Sequence, residues 1–197
     1  MLFDQLDLNF NATQKAILDG AIRCVKKNGL EKTSVNDIAR VAGVSRPTVY
    51  SYFKNKDDIV TTALVKAACA YSEGLLNYLE PFDDPYERFV ESFLYGLVEV
   101  PKNNYLTLIT RPGMIPLTNR EALLHGKGQD LATELHKAVL KNIPLSRPDL
   151  DDIMEINQRL MLSFLSMPGP VQRSPDELRA FLRKWIVPMI QSAGKPR

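Results

Sequence analysis

The sequence predicts an all-α protein of about nine helices, and three observations support this. Apolar residues recur at helical spacing through most of the 197 residues. Capping residues, prolines and glycines separate the periodic segments, as at Ser174-Pro175. No Asn-Gly or Asp-Gly pair lies between two alternating apolar runs, so no β-hairpin is indicated.

The first three predicted helices are short and closely spaced. Asn11 is expected to cap the first helix, with Gln14 as its capping-box partner, and Gly29 to end it. Ser34 then caps a second helix, which Gly43 ends. A third, very short helix begins at Ser45.

Longer helices are predicted beyond this point. Asn55 begins a fourth helix that runs to about Leu79, and Asp84-Pro85 begins a fifth that Pro101 ends. Further helices are predicted over about 103–110, from Thr118 or Asn119 to about Asn142, from Ser146, and from Ser174, with the last apolar stripe reaching Ile190.

Charge is distributed unevenly along the chain, although the net charge is only +2. Residues 11–56 carry nine basic and three acidic side chains, giving +6, whereas residues 1–10 and 57–197 each carry −2. A basic segment joined to a slightly acidic remainder indicates that one part of the chain meets a polyanion and another part has a different task.

Composition excludes several classes of protein. At 45% hydrophobic and 24% charged residues, the chain can bury a core and is not disordered. No long uncharged apolar run indicates a membrane span, and the acidic N-terminus does not resemble a secretory signal. Cys24 and Cys69 are far apart with no ligand partner nearby, so we expect a cytoplasmic protein with no disulfide, metal or cofactor.

Residues 33–56 have the pattern of a helix-turn-helix. Gly43 permits the positive φ of a tight turn, and Ile38 and Val49 are placed to pack the two helices at a fixed angle. The second helix of such a motif lies in the major groove of DNA. It would present hydroxyl, guanidinium and aromatic side chains there: Ser45, Arg46, Pro47, Thr48, Tyr50 and Tyr52.

This segment closely resembles the DNA-binding region of the tetracycline-repressor (TetR) family. The resemblance covers about residues 12–60 and rests on four motifs. They are Thr33-Ser34, Asp37-Ile38-Ala39, Ala42-Gly43-Val44-Ser45 and Thr48-Val49-Tyr50-Ser51-Tyr52-Phe53-Lys54-Asn55-Lys56.

The resemblance implies a homodimeric transcription regulator, usually a repressor, that binds a palindromic operator in double-stranded DNA. Residues 1–56 would form the DNA-binding domain, and residues 57–197 a helical domain for effector binding and dimerisation. A small effector would move the two DNA-binding domains out of register with successive major grooves. The many aromatic and aliphatic residues favour a hydrophobic or amphipathic effector.

Each candidate DNA contact follows from side-chain chemistry. Arg46 is the expected base reader, since a guanidinium can donate twice to a guanine edge, although a phosphate contact alone is the alternative. Tyr50 is alternatively a core residue, and Phe53 is expected in the core. The full candidate set is Thr33, Ser34, Ser45, Arg46, Pro47, Thr48, Tyr50, Tyr52, Lys54 and Lys56, with Lys56 as the main phosphate anchor.

Two further sets are expected in the C-terminal region. The candidate effector contacts are Tyr71, Leu75, Tyr78, Phe89, Phe93, Tyr105, Leu108, Arg111, Met114 and His125. The candidate dimer interface follows helical spacing on the last two predicted helices and comprises Leu150, Ile153, Met154, Asn157, Leu160, Met161, Phe164, Leu178, Phe181, Leu182, Trp185 and Met189.

A DNA-binding regulator whose C-terminal domain responds to a protein partner, with no small ligand, is the alternative. An enzyme is not expected: Ser51-Tyr52-Phe53-Lys54 matches a serine–x–x–lysine pattern without its partner motifs, and no nucleotide-binding fingerprint occurs. His125 and His136 are too far apart on a straight helix to share a metal.

Overall fold

The computed structural model describes residues 9–110, 127–167 and 169–194, and all regular structure in these ranges is helical. The elements are α1 (Ala12–Asn28), α2 (Val35–Ala42), α3 (Arg46–Tyr52), α4 (Lys56–Tyr78), α5 (Pro85–Glu99), a 3-10 helix (Leu106–Thr110), α6 (Lys127–Val139), α7 (Arg147–Ser166), α8 (Pro175–Trp185) and α9 (Val187–Ala193). The predicted all-α class is therefore confirmed.

Helix starts are set by local side-chain hydrogen bonds. Capping boxes close the N-termini of α1, α2 and α8, with Asn11, Ser34 and Ser174 as the capping residues. Asp84 accepts from two backbone N–H groups at the start of α5. These starts agree with the sequence prediction because each bond joins residues only two or three positions apart.

Three predicted helices differ in the structure. The predicted last helix is two helices, α8 and α9, because Pro188 lies in the first turn of α9 and cannot donate a backbone hydrogen bond. The predicted sixth helix is a 3-10 helix that begins only at Leu106. The predicted seventh helix ends at Val139 and not at Asn142, where φ is 70°, and its predicted start lies outside the described residues.

The chain forms two compact units. Unit 1 comprises residues 1–69 and 103–131, and unit 2 comprises residues 70–102 and 132–197. The core of unit 1, called the first core here, joins α1, α2, α3, the first half of α4 and the 3-10 helix. Its largest fully buried side chains are Ile17, Leu18, Ile38, Ile59 and Leu108.

Unit 2 has two buried apolar clusters. The second core contains Leu75, Leu79, Phe89, Ile153 and Ile190, among others. Its residues come from α4 and the position just after it, and from α5, α6, α7 and α9. The third core contains Val90, Phe93, Leu178, Leu182 and Val187, from α5, α8 and α9. Because α5 contributes Phe89 to one cluster and Phe93 to the other, this helix is central to unit 2.

Within the described residues, α4 is the one helix long and apolar enough to cross a membrane by length and composition alone. Half of its most apolar window is buried inside the protein. Ile59 of this helix lies in the first core and Leu75 in the second. Core packing therefore accounts for its apolar composition.

A buried arginine on α5 joins the ends of two helices in unit 2. Arg88 is 6% exposed and donates from Nη1 to the carbonyls of Leu79 (2.6 Å) and Phe82 (3.1 Å), just beyond α4. It also donates from Nη2 to Ala138 O (3.0 Å) and from Nε to Val139 O (3.1 Å), at the end of α6. The partial negative charge of a helix C-terminus favours a cation there.

Replacing this arginine is expected to destabilise unit 2 strongly. Arg88→Met removes the guanidinium from four carbonyl groups, one of which, Leu79 O, keeps a backbone donor in Phe82 N–H, so the free energy of unfolding should fall by about 3 kcal/mol. Arg183→Met is the matched control. It removes an exposed ion pair between Arg183 of α8 and Glu87, which lies on α5 next to Arg88, and it should cost less than about 1 kcal/mol. Urea denaturation of both variants measures the difference, and equal losses would contradict the assignment.

Candidate functional site

The turn between α2 and α3 is held by a left-handed glycine. Gly43 has φ 70° and ψ 29°, and its N–H donates to the carbonyls of Ala39 and Arg40 at the end of α2. The next N–H, of Val44, donates to Ala39 O at 3.0 Å. Val49 of α3 and Ile38 of α2 are both buried in the first core, which fixes α3 against α2.

One face of α3 lies on the surface of unit 1. Arg46, Pro47 and Ser51 are exposed, and the side chains of Tyr50 and Tyr52 are 46% and 40% exposed. Tyr50 is therefore a surface residue and not part of the core. Phe53, at 5% exposure, is buried in the first core as predicted.

Arg46 is held against Tyr50 one turn further along α3. Its guanidinium carbon lies 5.4 Å from the centre of the Tyr50 ring, and its Nη2 donates to the Tyr50 hydroxyl at 3.4 Å. A cation over an aromatic face is stabilised by the ring quadrupole. The arginine is thus oriented before it meets a partner, and the planar guanidinium stays on the exposed face of the helix.

The first turn of α3 is organised by two hydroxyl groups. Ser45 Oγ accepts from the backbone N–H of Thr48 at 3.2 Å, and the two side-chain oxygens are 2.7 Å apart. Ser45 is exposed, whereas Thr48 is half-buried. Both predicted contact residues therefore lie at the N-terminus of α3, where N–H groups and hydroxyls favour an anion.

The start of α2 gives its two predicted phosphate contacts different environments. Ser34 is exposed and donates from its hydroxyl to Asp37 Oδ2 at 2.6 Å, a bond that holds the pKa of the Asp37 carboxyl below its usual range. Thr33 is 3% exposed and its hydroxyl donates to Gly29 O at 2.7 Å. The Thr33 hydroxyl therefore stabilises the α1–α2 loop and is not exposed for the expected phosphate contact.

The two predicted lysines also differ. Lys54 is exposed, and its backbone N–H donates to Asp58 Oδ2 at 2.8 Å. Lys56 is half-buried, and its ammonium group donates to Leu30 O at 2.7 Å. Lys56 thus fastens the start of α4 to the α1–α2 loop, and only its remaining donors can serve as the phosphate anchor expected from the sequence.

The described candidate effector residues belong to different buried clusters. Leu75 and Phe89 are buried in the second core, with Tyr71 packed against it, and Phe93 is buried in the third core. Leu108 is fully buried in the first core, and Tyr105 packs against it, so both belong to unit 1. Arg111, Met114 and His125 lie outside the described residues.

Tyr105 is hydrogen-bonded to α1 within unit 1. Its hydroxyl donates to Asp19 Oδ1, and burial, together with this carboxylate, raises the pKa of Tyr105 to about 12. The neighbouring Asn104 accepts from Lys26 Nζ at 2.6 Å. The sequence could not indicate these contacts, because they join residues about 80 positions apart.

An aromatic group lies between α4 and α5 in unit 2. The Tyr95 ring is 5.5 Å from that of Tyr71 and 5.1 Å from that of Tyr78. Burial raises the pKa of Tyr71 above its usual range. Tyr78 donates to Glu91 Oε2 at 2.8 Å, and Glu91 also accepts from Arg179 of α8, which holds the pKa of this carboxyl below its usual range.

Some of the residues predicted for the dimer interface are buried within the chain itself. Leu150 and Ile153 are buried in the second core, and Leu178 and Leu182 in the third, so these four are intrachain core residues. Trp185 is 61% exposed. The half-buried members are Met154, Asn157, Leu160, Met161, Phe164, Phe181 and Met189.

A buried histidine in unit 2 was not assigned a role from the sequence. His136 Nδ1 lies 2.8 Å from Ala132 O, and its Nε2 lies 3.0 Å from Asn157 Nδ2. Burial lowers the pKa of His136 below its usual value, so the ring is neutral. Among the described residues, no group of three His, Cys, Asp or Glu side chains is placed to hold a metal ion.

Comparison with known proteins links the basic segment to DNA-binding regulators. Residues 17–63 match the family model of bacterial regulatory proteins, tetR family. The fatty acid metabolism regulator protein of Bacillus subtilis (strain 168) is 46% identical over 44 residues, which are 22% of this chain and 23% of that protein. The HTH-type transcriptional regulator AcrR of Shigella flexneri is 43% identical over 86 residues, 43% of this chain and 40% of that protein. The chain thus spans less than half the length of these relatives.

Similarity to a solved structure covers almost the whole chain. The crystal structure of transcriptional regulator FadR from Bacillus subtilis in complex with stearoyl-CoA matches with a TM-score of 0.56 and 18% identity. The match covers 91% of this chain and 98% of that one. At this identity the similarity establishes the fold.

The neutral His136 predicts a pH dependence of stability. Because its pKa is lowered by folding, the unfolded chain takes up a proton below about pH 6.5 before the folded chain does. Stability should be full above that pH and fall as pH decreases, by up to about 1.4 kcal/mol per pH unit. Urea denaturation between pH 7.5 and 5.5 should show this slope in the native protein and a smaller one in His136→Gln.

A matched control is available because the chain has only two histidines. His125→Gln should retain the slope of the native protein. If His136→Gln and the native protein lost stability in parallel, the slope would have to come from other groups.

Proposed function

Since residues 17–63 match the family model of bacterial regulatory proteins, tetR family, we propose that the chain is a sequence-specific regulator of this family that binds a palindromic operator as a homodimer. The observation that carries this proposal is the exposed face of α3. Arg46, Pro47 and Tyr50 lie on it, and the helix is fixed by the first core within a segment of net charge +6. A surface of this kind combines electrostatic attraction with base readout.

The spacing of DNA half-sites and the apolar face of α7 both support a homodimer. One helix of seven residues reads few base pairs, whereas two joined units read two half-sites one helical turn apart. Leu160, Met161 and Phe164 remain half-buried on α7. We propose that a second copy of the chain covers this face, and that Trp185 on α8 lies at its edge.

A small apolar or amphipathic effector is proposed to release the operator. Unit 2 is rich in aromatic and aliphatic side chains around Tyr71, Phe89 and Phe93. The curated relative from Bacillus subtilis is a fatty acid metabolism regulator, and the similar solved structure contains stearoyl-CoA. These names support an acyl chain as the first class of compound to test. Regulation of bacterial DNA would require a protein of the cytoplasm, and this is the location we propose.

Selection of DNA sequences by the purified protein tests the function. An inverted repeat should be enriched from random duplexes, and binding to it should weaken about a thousandfold between 50 and 200 mM salt. Release of this duplex by an acyl compound would support effector control. No enriched sequence would contradict the proposal, whereas an operator released only by a protein partner would favour the alternative regulator without a small ligand.

Arg46→Ala should lower affinity for the selected operator by about 1–3 kcal/mol and relax specificity at one base pair of each half-site. The reason is the loss of a pre-oriented guanidinium that donates twice to one base. Fluorescence anisotropy on the operator and on single-base variants measures both effects.

Arg40→Ala is the matched control for charge. It removes an equally charged and highly exposed guanidinium from α2, one that pairs with Asp37 in the same unit. Its loss should weaken binding to operator and random DNA alike. If Arg46→Ala lowered the affinity for operator and for random DNA equally, Arg46 would contact only a phosphate.

A further inference from the structure

Two buried side-chain oxygens in unit 2 lack a hydrogen-bond partner within the described part of the chain. They are Thr133 Oγ1 on α6 and Asn157 Oδ1 on α7. Thr133 is 4% exposed and precedes His136 by three residues, which puts the two side chains on one face of α6. His136 in turn contacts the Asn157 amide. Buried polar atoms are nearly always paired, so two unpaired oxygens in one region require an explanation.

The orientation of the Asn157 amide follows from its neighbours. Ala132 O can only accept, so the nearby Nδ1 of His136 carries the ring proton. In a neutral ring Nε2 is then an acceptor, and Asn157 must present its NH₂ group to it. Asn157 Oδ1 therefore points away from His136 as a buried acceptor, and it cannot exchange places with Nδ2 without losing the bond to His136.

The surroundings of this acceptor are apolar and adaptable. Met154 and Met161 lie one turn to either side of Asn157 on α7, and they pack against the second and third cores respectively. The Met161 methyl group lies where a side chain on Gly96 would be, 2.6 Å from the position of a Cβ, and the Tyr71 hydroxyl lies 3.1 Å from that position. Methionine side chains rearrange readily, so movement of Met161 would open the space beside Gly96 that it now fills.

We propose that Asn157 Oδ1 and Thr133 Oγ1 form the polar end of the effector site and bind a neutral hydrogen-bond donor, a hydroxyl or amide N–H, on an apolar chain. This inference rests on the proposed function and deepens it. Asn157 Oδ1 can only accept, so it gains from a donor and repels a carboxylate, whose charge would also lose its hydration, whereas the Thr133 hydroxyl can accept as well as donate. Asn157, expected in the dimer interface, is thereby assigned to the inside of unit 2.

Two isomeric probes test whether a hydroxyl proton on the ligand contributes to binding. 1-Decanol and 1-methoxynonane have the same atoms, but only the alcohol can donate a hydrogen bond, and decanoate adds the anionic end. Titrations followed by thermal shift of the full-length protein should show the alcohol binding about tenfold more tightly than the ether, with decanoate weaker than the alcohol. Equal binding of alcohol and ether, preference for decanoate, or no stabilisation by the alcohol would overturn the inference.

Variants assign this preference to the two oxygens. Thr133→Val removes one hydroxyl at nearly constant volume, and the double variant His136→Leu/Asn157→Leu removes both partners of the internal bond and so leaves neither unpaired. The alcohol preference should shrink in each, and it should vanish when Thr133→Val is combined with the double variant. Asn77→Leu, which changes an exposed amide on α4, should retain it in full. An undiminished preference in the combined variant would contradict the assignment.

The same samples separate this inference from the proposed function. Operator binding by the native protein is measured first by fluorescence anisotropy, without any probe. If the operator binds and an acyl compound releases it, but the protein binds 1-decanol and 1-methoxynonane equally, the proposed function stands and the inference fails. If no operator is bound, the proposed function fails, whatever the probes do.

Discussion

The buried guanidinium of Arg88 is the interaction on which the packing of unit 2 depends. It supplies hydrogen bonds to carbonyls beyond α4 and at the end of α6, groups that have no intrahelical donor. A carboxylate partner is not needed for this, because the carbonyls themselves carry partial negative charge. Burial lowers the pKa of Arg88, but its ordinary value is high enough that the side chain stays charged. Both apolar clusters of unit 2 include side chains of the helix that carries Arg88.

Unit 1 reaches its geometry by a different route. Short-range caps define its helices, and a continuous apolar core fixes α3 on α2, so the exposed face of α3 is presented by a rigid support. The contact of Arg46 with Tyr50 adds order within that face. In unit 2 the polar groups are instead buried, and the pair His136–Asn157 leaves an acceptor inside an apolar region. One unit is organised to present polar groups, and the other to enclose them.

Prediction from the sequence succeeded where the responsible interaction is local. The helix starts at Asn11, Ser34 and Ser174 depend on bonds between residues three positions apart, and the structure has them. Prediction was wrong where a proline inside an apolar stripe was overlooked: Pro188 begins a new helix. It also grouped Tyr105 with the effector residues, because an aromatic residue at helical spacing has the same pattern in either core.

The sequence by itself determined the all-helical class, the basic segment and the helix-turn-helix, since these follow from periodicity, caps and local charge. Only the tertiary structure decided how each polar side chain is used. Thr33 and Lys56 have the chemistry of phosphate contacts, yet both donate to carbonyls of the α1–α2 loop. Arg88 carries a charge, which favours the surface, and yet it is buried. The reason is that hydrogen-bond partners distant in sequence become neighbours only after the helices pack.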